Sequence, residues 1–356
     1  SPSPVGEIGR QEYARYGTIC SFLSSMIPSL LRGLRKNKFS FKGRVILLEL
    51  KEIDFENYGK CVQLSNGVID VVVTIDCGPR IVRFGFVGGE NVLYNDLERK
   101  YKMQNAFMDD YYSEGAACYF YGGHRLWLAP EKMPESYFPD NDPVIYALLP
   151  DGVTFSSAKQ KQNEVQTRLE IVMGENSSDV MLVHSVKNFS KDRQMLSLWP
   201  ITMVRGGGLE IIPQNRVNEE DELPPNRVLT FWPYTDPRDK RLYIGNRYIT
   251  IQHDSSNEKP LKLGTNNALG WAAYVDRTYT LIKRFVQSDA AYPDYGSSYE
   301  TYCNGDYLSM ETMSPLYQIE AGGALRHVEN LSLFHTYSDV SPTDEDGITH
   351  YIENLK

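Results

Sequence analysis

From residue 44 onward the chain carries short runs of β-branched, aliphatic and aromatic residues. "RVILLEL" (44–50), "VIDVVVTI" (68–75), "RIVRFGFV" (80–87), "TRLEIVM" (167–173), "DVMLVHSVKNF" (179–189) and "QMLSLWPITMV" (194–204) read as strands. The turn-forming stretches "SNG", "CGP", "VGGEN", "NFSKD" and "RGGG" separate them. Past residue 40 no amphipathic helix longer than two turns emerges, and no repeat is visible. Closely spaced strands without intervening helices predict an all-β fold, a large antiparallel sandwich rather than a βαβ arrangement. The first forty residues differ. Ile19, Phe22, Leu23, Met26, Ile27, Leu30, Leu31 and Leu34 recur at helical spacing, interrupted by Pro28. Arg32, Arg35, Lys36 and Lys38 follow, as suits a helix C-terminus. These patterns predict a helical appendage over 1–40 and a β-sandwich over 41–356.

One hairpin can be read in detail. "SYETYCNGDYLSMETM" (298–313) has Asn304-Gly305 at its centre, a strong two-residue turn signal. That register sets Tyr302 opposite Tyr307, Glu300 opposite Ser309 and Ser298 opposite Glu311. Glu300 and Glu311 become diagonal neighbours about 7 Å apart. One face of the ribbon then carries Ser298, Glu300, Tyr302, Tyr307, Ser309 and Glu311. A solvated face is the plainer reading, yet this one contains no Lys or Arg.

Bulk composition narrows the classes. With 41% hydrophobic and 23% charged residues among 356, the chain is an ordinary globular sequence. A formal charge of −9 argues against nucleic acid or an anionic membrane as partner. The one like-charge run, "NEEDE" (218–222), reads as a solvated loop. No stretch reaches the ~18–20 apolar residues of a membrane span. The five cysteines are scattered and odd in number, which fits a reducing compartment and so the cytoplasm. A periplasmic or secreted location stays open if a leader has been removed. No His/Cys/Asp spacing signals a metal, and no phosphate loop or G-x-S-x-G is present.

"IDCGPRIVRFGFVGGENVLY" (75–94) and "YLSMETMSPLYQIEAGGALRHVENLSLF" (307–334) resemble the N-terminal and C-terminal strands of galactose mutarotase-like (aldose 1-epimerase-like) proteins. "LKLGTNNALGWAAYVDRTYTLIKRF" (261–285), "YPDYGSSYETYCN" (292–304) and "GGHRLWLAPE" (122–131) fit a bacterial branch of that superfamily. The similarity spans most of residues 60–335. It implies a β-supersandwich, a sugar cleft on a concave sheet, a small-molecule carbohydrate as partner and no cofactor. Glu311 matches the family's glutamate base in its "L-x-x-E-T/S" setting. His124 lies where the family places an early cleft histidine, although the local motif differs. The family's second histidine has no counterpart in "SLWPITMV" (197–204), which leaves a strict aldose 1-epimerase assignment open.

Mutarotation needs one group to take a proton from the anomeric hydroxyl and another to protonate the ring oxygen. On this reading Glu311 is the base and His124 the acid, with Glu300 beside them in one polar cleft. A surface-loop histidine is the plainer reading of His124, set against a Gly-Gly turn, a cation and an aromatic ring next to it. Arg80 and Arg125 are candidates for sugar hydroxyls or an anionic group, or for ion pairs at strand ends. Lys262 and Tyr302 are candidate cleft residues, and Trp127 either stacks on a sugar face or belongs to the core. His184, mid-strand among apolar residues, reads as a core histidine. Two function classes therefore remain: an epimerase-like enzyme acting on a free or modified sugar, and a non-catalytic carbohydrate-binding protein of the same fold. A polysaccharide lyase is disfavoured because forty helical residues are too few for the helical toroid those enzymes carry.

Overall fold

The computed structural model describes residues 35–41, 44–215 and 224–355. The helical reading of residues 18–34 and the acidic run at 218–222 fall outside them. Arg35–Phe41, assigned above to the helical appendage, is a strand paired antiparallel with Arg44–Asp54. Phe39 and Phe41 alternate there with Lys38 and Ser40, a period of two that was masked by the basic residues. Among the described residues, the first strand of the sandwich is thus Arg35–Phe41.

Two antiparallel sheets, one of twelve strands and one of ten, hold all but two of the described strands. Each of the six hydrophobic runs forms a strand, at nearly the expected bounds. The middle of the larger, front sheet runs Ile81–Phe86, His124–Ala129, Gln194–Arg205, Tyr307–Thr312, Tyr299–Cys303, Leu261–Thr265. The middle of the back sheet runs Trp271–Val275, Tyr279–Phe285, Ala324–His335, Asp179–Asn188, Val165–Met173. Leu64, Phe84, Leu308 and Met310 of the front sheet meet Phe155, Ile171, Leu281 and Leu331 of the back sheet in the main core. Because strand side chains alternate, the other face of the front sheet presents a second set: Trp127, Trp199, Ile201, Met203 and Tyr307. That outer cluster floors the cleft described below.

A nine-residue helix, Glu345–Glu353, covers part of the back sheet through Ile348 and Tyr351. It is slightly longer than the two turns expected as a ceiling. Asp344, whose side chain accepts from the Gly347 N–H at 3.0 Å, followed by apolar residues at 348, 351, 352 and 355, is a readable start signal. Among the described residues no helix is long and apolar enough to cross a membrane.

The 298–313 hairpin forms, in a different register. Cys303 pairs with Leu308, Tyr302 with Ser309, and Glu300 lies directly opposite Glu311. Asn304 does not sit in the centre of the turn. Its side-chain oxygen accepts from the Asp306 and Tyr307 N–H groups at 2.9 and 3.1 Å, so Asn304 opens the turn, and Gly305-Asp306 are its central pair. The slip is two residues, an even number, so the composition of each face is unchanged while the partners differ.

Gly122 and Gly123 are needed for contact as well as conformation. Both have left-handed φ, 84° and 74°, and a Cβ would come within 2.3 Å of the Tyr94 carbonyl oxygen and 2.2 Å of that of Ile81. The pair lets the chain cross two backbones closely and enter the strand at His124.

Candidate functional site

A cavity of about 180 Å³ opens on the outer face of the front sheet, walled by Trp127, Tyr137, Trp199, Tyr234, Tyr302 and Tyr307. Glu311, Ser309, Lys262, Arg125 and Glu131 bring its polar groups. Strand alternation supplies most of these: Arg125 and Trp127, then Trp199 and Ile201, then Ser309 and Glu311, are each spaced by two.

Glu311 is 3% exposed and tightly held. Trp199 Nε1 donates to Oε2 at 2.9 Å and Ser309 Oγ to Oε1 at 2.5 Å. The Lys262 ammonium lies 3.3 Å from the same Oε2 and 2.9 Å from Glu300 Oε2. Lys262 is itself packed between two indoles, each ring centroid 4.5 Å from Nζ, those of Trp199 and Trp232. Burial works against its charge, but Glu311 and Glu300 outweigh that and raise its pKa. Burial and the facing Glu311 push Glu300 well above the carboxylate range, with Lys262 pulling the other way. Lys262 is thus held as a cation between the two carboxyl groups, and burial favours protonation of Glu300. Glu300 contacts Lys262 but does not itself line the cavity. Glu131, which accepts from the Tyr137 hydroxyl, stands at the mouth.

His124 is not in this cleft. It is the first residue of its strand, so its side chain takes the opposite face from Arg125 and enters the space between the sheets, where it is fully buried. Its Nδ1 meets Thr202 Oγ1 at 2.8 Å and its Nε2 meets His184 Nε2 at 3.0 Å. The expected gathering of His124 with Glu311 and Glu300 is thus corrected: a sheet separates them. The Gly-Gly turn ends before the strand begins and cannot override its alternation. Burial holds His124 well below the usual imidazole range.

The surroundings of His124 form a closed polar network. Lys283 Nζ reaches Glu329 Oε1, Thr202 Oγ1 and the Met310 carbonyl, each at 2.9 Å. Thr312 donates to Glu329 and contacts His327 Nε2 at 3.0 Å. The nitrogens of His124 and His184 and a Glu329 oxygen are close enough to share a metal ion. Lys283, however, already supplies the cation, and a divalent ion would have to share the single carboxylate with it. His184 is a core histidine, as read from its strand.

This network makes stability pH-dependent. Burial pushes His327 down to about 4 from 6.5. Below 6.5 the unfolded chain takes up the proton and the folded one does not, so stability present at neutral pH is lost as pH falls from about 6.5 to about 4. At about 1.4 kcal/mol per pH unit, His327 contributes about 3 kcal/mol to that loss, and His124, shifted the same way, adds to it. Denaturant titrations across that range should show it, and His327→Gln should remove the His327 share. An unchanged pH slope in that variant would exclude His327 as the source.

Arg80 also stays out of the cleft. It is fully buried, donates to the Phe120 and Tyr119 carbonyls at 3.2 and 3.1 Å, and is ion-paired with Asp140. It ties the loop ahead of His124 to Asp140, the ion-pair reading of the two offered by sequence. Arg125, Trp127, Lys262 and Tyr302 all line the cavity. Sequence reading missed Glu131, Tyr137 and Tyr234, which lie outside the strands, in loops and a short 3-10 helix, where no two-residue alternation assigns a face. The cysteines at 61, 77, 118 and 303 are free and buried.

No family model matches the sequence, and no curated protein matches it. Solved structures do. A TPR-domain containing protein from Parabacteroides distasonis is similar with a TM-score of 0.55 at 13% identity, over 79% of this chain and 48% of that one, so this chain spans about half its length. A candidate aldose 1-epimerase from Klebsiella pneumoniae gives 0.52 at 12% identity, over 86% of each chain. A galactose mutarotase-like protein from Lactobacillus casei gives 0.50 at 10% identity, over 77% of this chain and 99% of that one. Identities this low speak for fold alone, and the fold is the all-β sandwich of the galactose mutarotase-like proteins.

Proposed function

We propose that the cleft takes a free or modified sugar and interconverts its anomers by acid/base ring opening. The observation that carries this reading is the buried Glu311, fixed by Trp199 and Ser309 at the floor of an aromatic-walled, polar cavity. Glu311 takes the proton of the anomeric hydroxyl, the C1–ring-oxygen bond breaks, and an aldehyde forms. The ring oxygen leaves as an alkoxide-like group and receives its proton from Lys262, which stands beside Glu311 in place of the expected histidine. Rotation about C1–C2 and the reverse steps close the other anomer. Tyr302, Tyr307 and Trp127 offer ring faces and hydroxyls for the sugar. The chemistry uses only side chains of the chain itself.

A second reading, sugar binding without turnover, is favoured by one observation: among the described residues no histidine lines the cavity. Proton NMR of a monosaccharide panel, each sugar added as a single anomer, separates the two. Faster approach to anomeric equilibrium with protein supports the enzyme, line broadening without acceleration supports the binder, and neither effect with any sugar rejects both.

A further inference from the structure

We propose that Arg125 holds an anionic substituent, a carboxylate or a phosphate, on the sugar that the cleft takes; this rests on the carbohydrate reading above. Arg125 is 5% exposed and lines the cavity, with its guanidinium carbon 4.6 Å from the centroid of Trp127. Stacking fixes the plane of the fork and leaves its edge to meet a ligand. What the edge meets inside the protein is poor. Nη1 reaches the Tyr119 carbonyl at 3.5 Å, Nη2 reaches Cys118 Sγ at 3.9 Å, and Nε has no partner. Asp140 stands 4.0 Å away and is engaged by Arg80.

Arg80 shows the contrast. Its Nε is unpartnered as well, but its two carbonyl contacts are of ordinary length and it owns the carboxylate. Ordinary N–H···O bonds run to about 3.2 Å, so Arg125 is a buried cation whose donors are nearly all unspent. Such a group is costly unless an acceptor arrives. A second donor lacks a partner on the same wall, Trp127 Nε1. A carboxylate or phosphate carries only acceptors at these oxygens, enough lone pairs for both donors, and the opposite charge. A neutral hydroxyl supplies fewer lone pairs and no charge.

Placement agrees. Ile201 pairs with Arg125 on one neighbouring strand and with Glu311 on the other. The two side chains therefore rise from one face two strand spacings apart, about 10 Å at the backbone. A monosaccharide with its anomeric carbon at Glu311 directs its far, exocyclic end toward Arg125.

Calorimetric binding of glucose, galactose, their uronates, the uronate methyl esters and their 6-phosphates tests this. Wild-type protein should bind a uronate or a 6-phosphate at least tenfold tighter than the neutral sugar. The preferred one identifies the anion's source. The preference should vanish in Arg125→Gln and partly survive in Arg125→Lys. The methyl ester, neutral but otherwise the same, gives the comparison without any variant should Arg125→Gln fail to fold. Equal affinity for uronate, phosphate, ester and neutral sugar overturns the anion site and leaves the carbohydrate reading standing. No binding of any of them overturns both.

Discussion

Glu311→Gln is expected to remove turnover, lowering kcat by about 10²–10⁴-fold, the usual worth of a positioned proton acceptor, while fold and sugar affinity are kept. The amide is nearly isosteric and its oxygen still accepts from Trp199 Nε1 or Ser309 Oγ. Lys262 does not become an orphan, since Glu300 at 2.9 Å remains beside it. Progress curves from a single anomer, with circular dichroism as the control for fold, measure this. Unchanged kcat would exclude Glu311 as the base.

The largest effect on stability belongs to Lys283. Lys283→Met should cost about 3–5 kcal/mol, the usual penalty for leaving a buried ion without its partner. The carboxylate left behind is Glu329, which is fully buried with only Thr312 and the His124 and His184 rings near it. Adding Glu329→Met should recover part of the loss, because the orphaned charge is then gone as well. Urea unfolding of wild type, single and double variants reads both numbers. If the double variant is less stable than Lys283→Met by a further full increment, the two residues act independently and the network is not a unit.

The architecture was legible because strands announce themselves locally. A run such as "DVMLVHSVKNF" needs only β-branched residues and a turn on each side to be recognised. Face composition was legible for the same reason: a period of two puts Glu311, Ser309 and Tyr307 together whatever strand they pair with. Register was harder. Asn304-Gly305 fits a central turn pair well, and only the side-chain bonds from Asn304 to residues 306 and 307 show that it opens the turn instead. For His124, adjacency in sequence to a plausible cleft residue was misleading, since neighbours on a strand take opposite faces. Lys262 showed the reverse difficulty: "LKLG" says nothing of the two indoles and two carboxylates that surround it, which come from segments distant along the chain. Contacts of that kind are set by tertiary structure alone.

Anomer exchange measured by proton NMR, on wild type, Glu311→Gln and His124→Gln side by side, separates the cleft from the sheet interior most directly. The sugar should be the one that binds best in the panel, and each rate should be referred to folded protein. Exchange catalysed by wild type, lost in Glu311→Gln and retained by the folded fraction of a destabilised His124→Gln is the predicted result. No catalysed exchange in wild type, or a folded but inactive His124→Gln beside an active Glu311→Gln, would contradict it.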